Sequence, residues 1–186
     1  MSGSGGRRVH QTQRAICSAF NNLMLTREFD SIRIDDILAG AQVARSTFYQ
    51  HYRGKDDVLC AVMGVHILDP LARAGLSDNP APELLQLAHH VWENRRLAHS
   101  IFHGSTRTAI VRNLAGKIEH TLAGVPPASG LPNAFVASTI AQWQIASLAE
   151  WLMGRHRFDS ANWAHALCRG TRSLTSALTS IEGDGS

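Results

Sequence analysis

The stretch that decides the fold is Ile34–Lys55, IDDILAGAQVARSTFYQHYRGK. Apolar residues fall at Ile34, Ile37, Leu38 and Ala41, the spacing of a helix about two turns long. Asp35 and Asp36 lie in its first turn, where carboxylates suit the positive end of the helix dipole. A second short helix is expected around Arg45–His51. Only a tight turn fits between the two, and this arrangement is a helix-turn-helix. Such a unit buries one face of each helix and plugs its turn. Ile34, Ile37 and Leu38 can cover the first helix, Val43 can plug the turn, and Val43 and Phe48 can face inward. The other face of the second helix is then available to a DNA major groove.

The residue types on that face suit the task. Arg45 matches guanine O6/N7 and Gln50 matches adenine N6/N7, and Ser46 joins them as a candidate for base edges. Thr47, Tyr49, His51 and Lys55 are donors suited to phosphate oxygens, which fix register rather than sequence. Lys55 also precedes the next helix, whose first N–H groups attract phosphate. The window Ala44–Lys55 contains Arg45, Arg53 and Lys55 and no acid.

Outward from this window the spacing is helical almost everywhere. Upstream, Ile16, Phe20, Leu23 and Met24 make one stripe of a helix from about Val9 to Thr26. Downstream, helices are expected over 55–68 (ended before Pro70), 82–102, 107–122, 132–153 and from Asp159 or Ser160 to about Ser180. The breaker clusters SDNPAP and GVPPASGLPN separate some of them. Gly154 is placed to close the helix of 132–153. No strand pattern occurs, so the fold class is all-α. Residues 1–8, MSGSGGRR, carry no apolar stretch and read as a flexible basic tail rather than a signal peptide.

Composition narrows the function. The chain has 186 residues, 18 Lys+Arg against 15 Asp+Glu, and a formal net charge of +3. That balance excludes indiscriminate coating of nucleic acid or membrane and leaves a small local basic face. No apolar run of about 20 residues is present to span a bilayer. Cys17, Cys60 and Cys168 are odd in number and widely spaced, which argues against a disulfide framework and for a reducing, cytoplasmic setting. His99/His103 and His89/Glu93 are i, i+4 pairs, but no further ligands can be assigned, so no metal site is expected. No cofactor is implied.

STFYQHYRGKDDVL, following VAR after a short helix, resembles the DNA-binding signature of the TetR family of transcriptional regulators. Val43, Thr47, Phe48, Tyr49, Tyr52, Lys55, Asp56, Asp57, Val58 and Leu59 carry the match, which covers about residues 13–63. The Glu150-Trp151-Leu152 triplet is similar to the family as well. The resemblance implies an N-terminal three-helix helix-turn-helix DNA-binding domain (9–54) followed by a helical effector-binding and dimerisation domain (55–182). It places Arg45, Ser46 and Gln50 at base-reading positions and Thr47, Tyr49, His51 and Lys55 at backbone-contact positions. Arg7 and Arg8 take the place of an N-terminal arm.

Three positions depart from the family pattern. Arg33 stands where Thr is usual before the second helix, Gln42 where Gly is common, and Ala44 where Ser or Gly opens the recognition helix. Two caps and a residue suited to φ > 0 are thereby lost. Gly40, inside the second helix, costs about 1 kcal/mol relative to Ala.

The helix of 132–153 is apolar over most of its circumference, and that of 160–180 carries many small residues. The resemblance implies that the two form a four-helix dimer interface; packing within one monomer core is the alternative. An effector pocket is expected between the helices of 55–68, 82–102, 107–122 and 132–153. Its candidate lining is Met63, His66, His89, Trp92, Phe102, His103 and Trp143, with Gln144 as polar anchor.

The function expected is a DNA-binding regulator, a homodimeric repressor released from a pseudo-palindromic double-stranded operator by a small, largely apolar effector. Two other readings are a helical ligand-binding protein without DNA function, suggested by the three departures, and a small helical enzyme built on His89/Glu93. No GxSxG, Gly-rich phosphate loop or spaced Cys/His pair supports the last, so the chain is not expected to be an enzyme.

Overall fold

The computed structural model describes residues 3–124, 130–155 and 158–180. Among them every regular element is helical, and the chain is all-α. The order is α1 (Gly3–Met24), a 3-10 turn (Phe29–Ser31), α2 (Ile34–Ala41), α3 (Arg45–His51), α4 (Lys55–Met63), a π-helical segment (Gly64–Leu68), α5 (Asp69–Ala72), α6 (Pro82–Glu93), α7 (Arg95–His103), α8 (Arg107–Leu122), α9 (Asn133–Leu152) and α10 (Ser160–Thr179). The chain divides into two compact units after Met63, not after Gly54 as expected. Val58 and Leu59 explain the difference: both are buried, and α4 packs on α1 within the first unit.

The first unit is organised by the apolar stripe of α1. Ile16 and Phe20 are fully buried, and Phe20 meets Phe29 edge to face at 6.2 Å. Ile32, Ile37, Phe48 and Tyr52 complete this core. Ala19 explains the costly Gly40: a Cβ added at Gly40 would lie 3.1 Å from the Ala19 Cβ, so the close approach of α1 and α2 favours the missing side chain. Helix α1 begins at Gly3 rather than Val9. The expected flexible tail of residues 1–8 is thus helical from Gly3. Glycines weaken a helix without a proline's loss of a ladder hydrogen bond. Arg7 and Arg8 are exposed on that extension.

In the second unit α8 packs along α9, and α10 along α6 and α9. Leu68, Leu71, Ile110, Leu114, Ile145 and Leu148 fill the interior. Trp92, Trp151 and Trp163 form a stacked column with centroid spacings of 4.9 Å. Two expected helices are interrupted. The one over 55–68 is α-helical only to Met63, and Pro70 does not end the helical path, because it sits in the first turn of α5, where its missing N–H costs nothing. The one over 82–102 breaks at Asn94. Both the Asn94 backbone N–H and its side-chain Nδ2 donate to the His90 carbonyl, at 3.1 and 2.9 Å, the local competition that makes Asn a helix terminator. Asp159 caps α10 by accepting from the Asn162 N–H at 2.7 Å, and Gly154, at φ +68°, follows α9 as expected. The middle of the loop expected over 124–133 lies outside the described residues.

Candidate nucleic-acid interface

The turn between α2 and α3 is a Schellman motif. The Gln42 N–H donates to the Ala39 carbonyl at 3.4 Å and the Val43 N–H to the Leu38 carbonyl at 3.2 Å. This requires a left-handed residue after the helix and an apolar residue after that. Gln42 supplies the first, at φ 54° and ψ 43°. Val43, half-buried, supplies the second. The position does demand φ > 0, and glutamine accepts the strain that glycine would avoid.

The missing cap at Arg33 is replaced from inside the helix. Arg33 cannot accept a hydrogen bond through its side chain, but Asp36 reaches back, its Oδ2 accepting from the Arg33 N–H at 2.9 Å. That bond, with the Arg27 guanidinium at 3.2 Å, holds the Asp36 carboxyl below the usual carboxylate range. Asp57 does the same at the start of α4, accepting from the Arg53 N–H at 2.9 Å. Ala44 has the extended backbone of an N-cap but no side-chain bond, so the first turn of α3 lacks its cap.

Helix α3 buries Phe48 completely. Tyr52 follows it into the core, its hydroxyl 3.4 Å from the Cys17 thiol, and burial pushes the phenol pKa up. The opposite face presents Arg45, Ser46, Tyr49 and Gln50, all exposed, with Thr47 and His51 half-buried at its edges. Tyr49 is 49% exposed and braced edge-on against Phe48 at 5.4 Å. Six of the seven DNA-contact candidates are therefore displayed by one short helix, four of them on its open face.

Lys55 is placed differently. Its Nζ donates to the carbonyls of Phe29 at 2.8 Å, Ile32 at 3.1 Å and Asp30 at 3.4 Å. It also lies 4.3 Å from the centre of the Phe29 ring. The ammonium gathers the carbonyls around the 3-10 turn and ties the start of α4 to the segment leading into α2. The residue that sequence reasoning did not single out for the interface is Asp35. Its Oδ1 accepts from Arg45 Nη2 across the turn. The two are ten positions apart on different helices, so no periodicity signals the contact.

Each of the eight pocket candidates has its own surroundings. Met63 belongs to the core of the first unit. His66 is exposed, His89 is exposed and 3.3 Å from Glu93, and His103 is exposed with its ring stacked on His99 at 4.2 Å. Phe102 is buried packing, and Trp92 stacks on Trp151. Trp143 is half-exposed and lies against Gly170 of α10, where an added Cβ would run into its ring. Gln144 is fully buried: its Nε2 donates to the Leu71 carbonyl at 3.1 Å and to Thr171 Oγ1 at 3.0 Å. Its Oε1 has no hydrogen-bond partner. Two concavities on the second unit involve none of the eight. One, lined in part by Arg73, Ser77 and Cys168, holds about 20 Å³, and the other is a shallow surface bounded by Arg95, Arg96, His99, Leu152 and Met153. Among the described residues no group of three or more His, Cys, Asp or Glu side chains could hold a metal ion, and no helix is long and apolar enough to cross a membrane.

Over 91 residues the chain is 26% identical to the HTH-type dhaKLM operon transcriptional activator DhaS of Lactococcus lactis subsp. lactis (strain IL1403), a match covering 49% of each. The match thus spans about half the length of that curated relative. The fold matches the crystal structure of a TetR transcriptional regulator from Streptococcus agalactiae 2603V, with a TM-score of 0.52 and 19% identity over 92% of this chain and 99% of the other. The structure of the dihydroxyacetone kinase operon activator DhaS aligns with a TM-score of 0.46 and 20% identity, over 91% and 98% of the two chains. No family model matches the chain.

Proposed function

We propose that this chain, whose fold is that of a TetR transcriptional regulator, is a sequence-specific DNA-binding regulator of transcription. One observation carries the reading. Helix α3 buries Phe48 and turns Arg45, Ser46, Tyr49 and Gln50 outward together, which is what a recognition helix needs to enter a major groove. Arg45 and Gln50 address base edges, Ser46 either a base edge or a phosphate, and Tyr49, Thr47 and His51 the backbone. Lys55 acts from behind by fixing the scaffold, and Arg7 and Arg8 extend the basic surface along α1.

The regulator works as a homodimer in the cytoplasm. The outward stripe of α9, with Phe135 at 53% exposure, Thr139, Trp143 and Ala146, and the small residues Ala166, Gly170, Ser173 and Ala177 of α10 supply a self-complementary face. Two heads then read a pseudo-palindromic operator. A small, largely apolar effector releases the protein by favouring a conformation that does not span the site. With Phe102 and Gln144 packed and the histidines outside, such an effector must repack the second unit as it binds. Repression is the sign of control proposed; activation is a second reading, favoured by the name of the L. lactis relative.

Selection of bound duplexes from a random pool, followed by gel shifts at several salt concentrations, tests the reading. A salt-sensitive shift that Arg45→Ala and Tyr49→Ala each weaken is the expected result. Its absence, or indifference to both substitutions, would sink the reading. A reporter driven by the selected site decides between repression and activation.

A further inference from the structure

The geometry points to Asp35 as a positioning residue for Arg45, so that base discrimination by α3 depends on a carboxylate in the helix before it. This rests on the DNA-reading function proposed above. Arg45 is the first residue of α3, and its N-cap Ala44 contributes no side-chain bond. The guanidinium is 56% exposed and is held by Asp35, which is itself 71% exposed on the first turn of α2. The neighbouring acids are spent on helix starts, Asp36 on the Arg33 N–H and Asp57 on the Arg53 N–H. Asp35 alone of these three bonds to a side chain of the recognition helix.

The pair is too exposed to matter much for folding. Its consequence lies in what it does to the arginine. A free arginine on a helix start samples many rotamers and pairs readily with whichever phosphate is near. With Nη2 engaged by Asp35, fewer directions remain, and the N–H groups left over still form a fork suited to guanine O6/N7. Asp35 also repels phosphate. A duplex that lets Arg45 reach a guanine offsets that repulsion, whereas a duplex that does not leaves it uncompensated, so the carboxylate acts against the wrong sequences.

The test compares the full-length wild type with Asp35→Asn, Asp35→Glu, Arg45→Ala and the D35N/R45A double variant. Affinities are measured for the selected duplex and for a random-sequence duplex across a salt series. Asp35→Asn is expected to lower the selected-to-random ratio about tenfold, the effect of losing one base-specific pair. Its affinity for the random duplex rises, and the log–log salt slope steepens by about one as Arg45 turns to a phosphate. Asp35→Glu retains the ratio. In the Arg45→Ala background, Asp35→Asn leaves the ratio unchanged. Tyrosine-detected unfolding of D35N matches wild type, so the effect is not one of folding. A D35N protein that discriminates as well as wild type overturns the proposal, and so does an equal fall in the ratio with or without Arg45. A wild type that prefers no duplex overturns the DNA-reading function itself, an outcome distinct from either.

Discussion

Replacing Lys55 by methionine separates two roles that sequence cannot distinguish. Methionine keeps an apolar stem of similar length and removes the ammonium. The structure assigns that ammonium two bonds of 2.8 and 3.1 Å to half-buried carbonyls, a longer third, and a face of Phe29. Hydrogen bonds to a charged group contribute about 1.5–3 kcal/mol each, and the ring contact about 0.5–1 kcal/mol. Water reaches this partly exposed site and replaces some of the bonding, and holding the lysine costs up to ~2 kcal/mol of side-chain entropy. The net loss expected is about 2 kcal/mol, all of it in the first unit. The chain provides its own probes. All four tryptophans, Trp92, Trp143, Trp151 and Trp163, lie in the second unit, and both tyrosines, Tyr49 and Tyr52, in the first. In urea, second-derivative tyrosine absorbance is expected to shift to lower midpoint while tryptophan emission does not. Lys55→Arg rescues only in part, because a planar fork cannot converge on three carbonyls as a rotating ammonium does. If Lys55 were instead a phosphate contact, K55M would leave the tyrosine transition in place and reduce the salt slope of DNA binding by about one. That pair of results would refute the clamp.

Ala44→Ser supplies the missing cap on backbone already extended for it, so the first unit gains about 1 kcal/mol and its tyrosine-detected Tm rises by roughly 4–8 °C; no rise would mean that the start of α3 is satisfied otherwise. Gly170→Ala, which in an open helix position gains about 1 kcal/mol, is expected to destabilise here because the methyl meets Trp143. Repeating it in a Trp143→Ala background should restore the favourable sign, as read by chemical unfolding. Asp36→Asn lowers the stability of the first unit at pH 7. The carboxyl is held below its usual range, so its contribution is complete above the unfolded pKa of about 4 and is lost as pH falls through the lower folded value. The two proteins should converge below that point, and a gap that persists in strong acid would contradict the assignment.

Much of this was legible in the sequence because it is local. The 3.6-residue stripe Ile16–Phe20–Leu23, the short spacing of α2 and α3, and the position of Phe48 among residues with polar groups fix an all-α head with a turn of known kind. Gln42 shows how far that goes: the family resemblance, with Gly common at this position, carried the expectation of φ > 0, and the structure places glutamine there in the left-handed region. The break at Asn94 and the change to a π-helical path after Met63 were not legible, because hydrophobic periodicity runs through both, while at Asn94 the side chain competes for the His90 carbonyl. The roles of individual polar groups were less legible still. In one dimension Lys55 looks like a phosphate contact, Asp35 like a carboxylate suited to a helix start and Gln144 like the polar anchor of a pocket. Their partners, Phe29 and Ile32, Arg45, and Leu71 and Thr171, stand ten or more positions away in sequence, and only close packing brings a donor within hydrogen-bond reach of its acceptor. Sequence by itself determined the helices and the outward face of α3, since those follow from periodicity. Tertiary structure alone decided which charges are spent on the scaffold and which remain for a partner, since that depends on which chain segments are folded against one another.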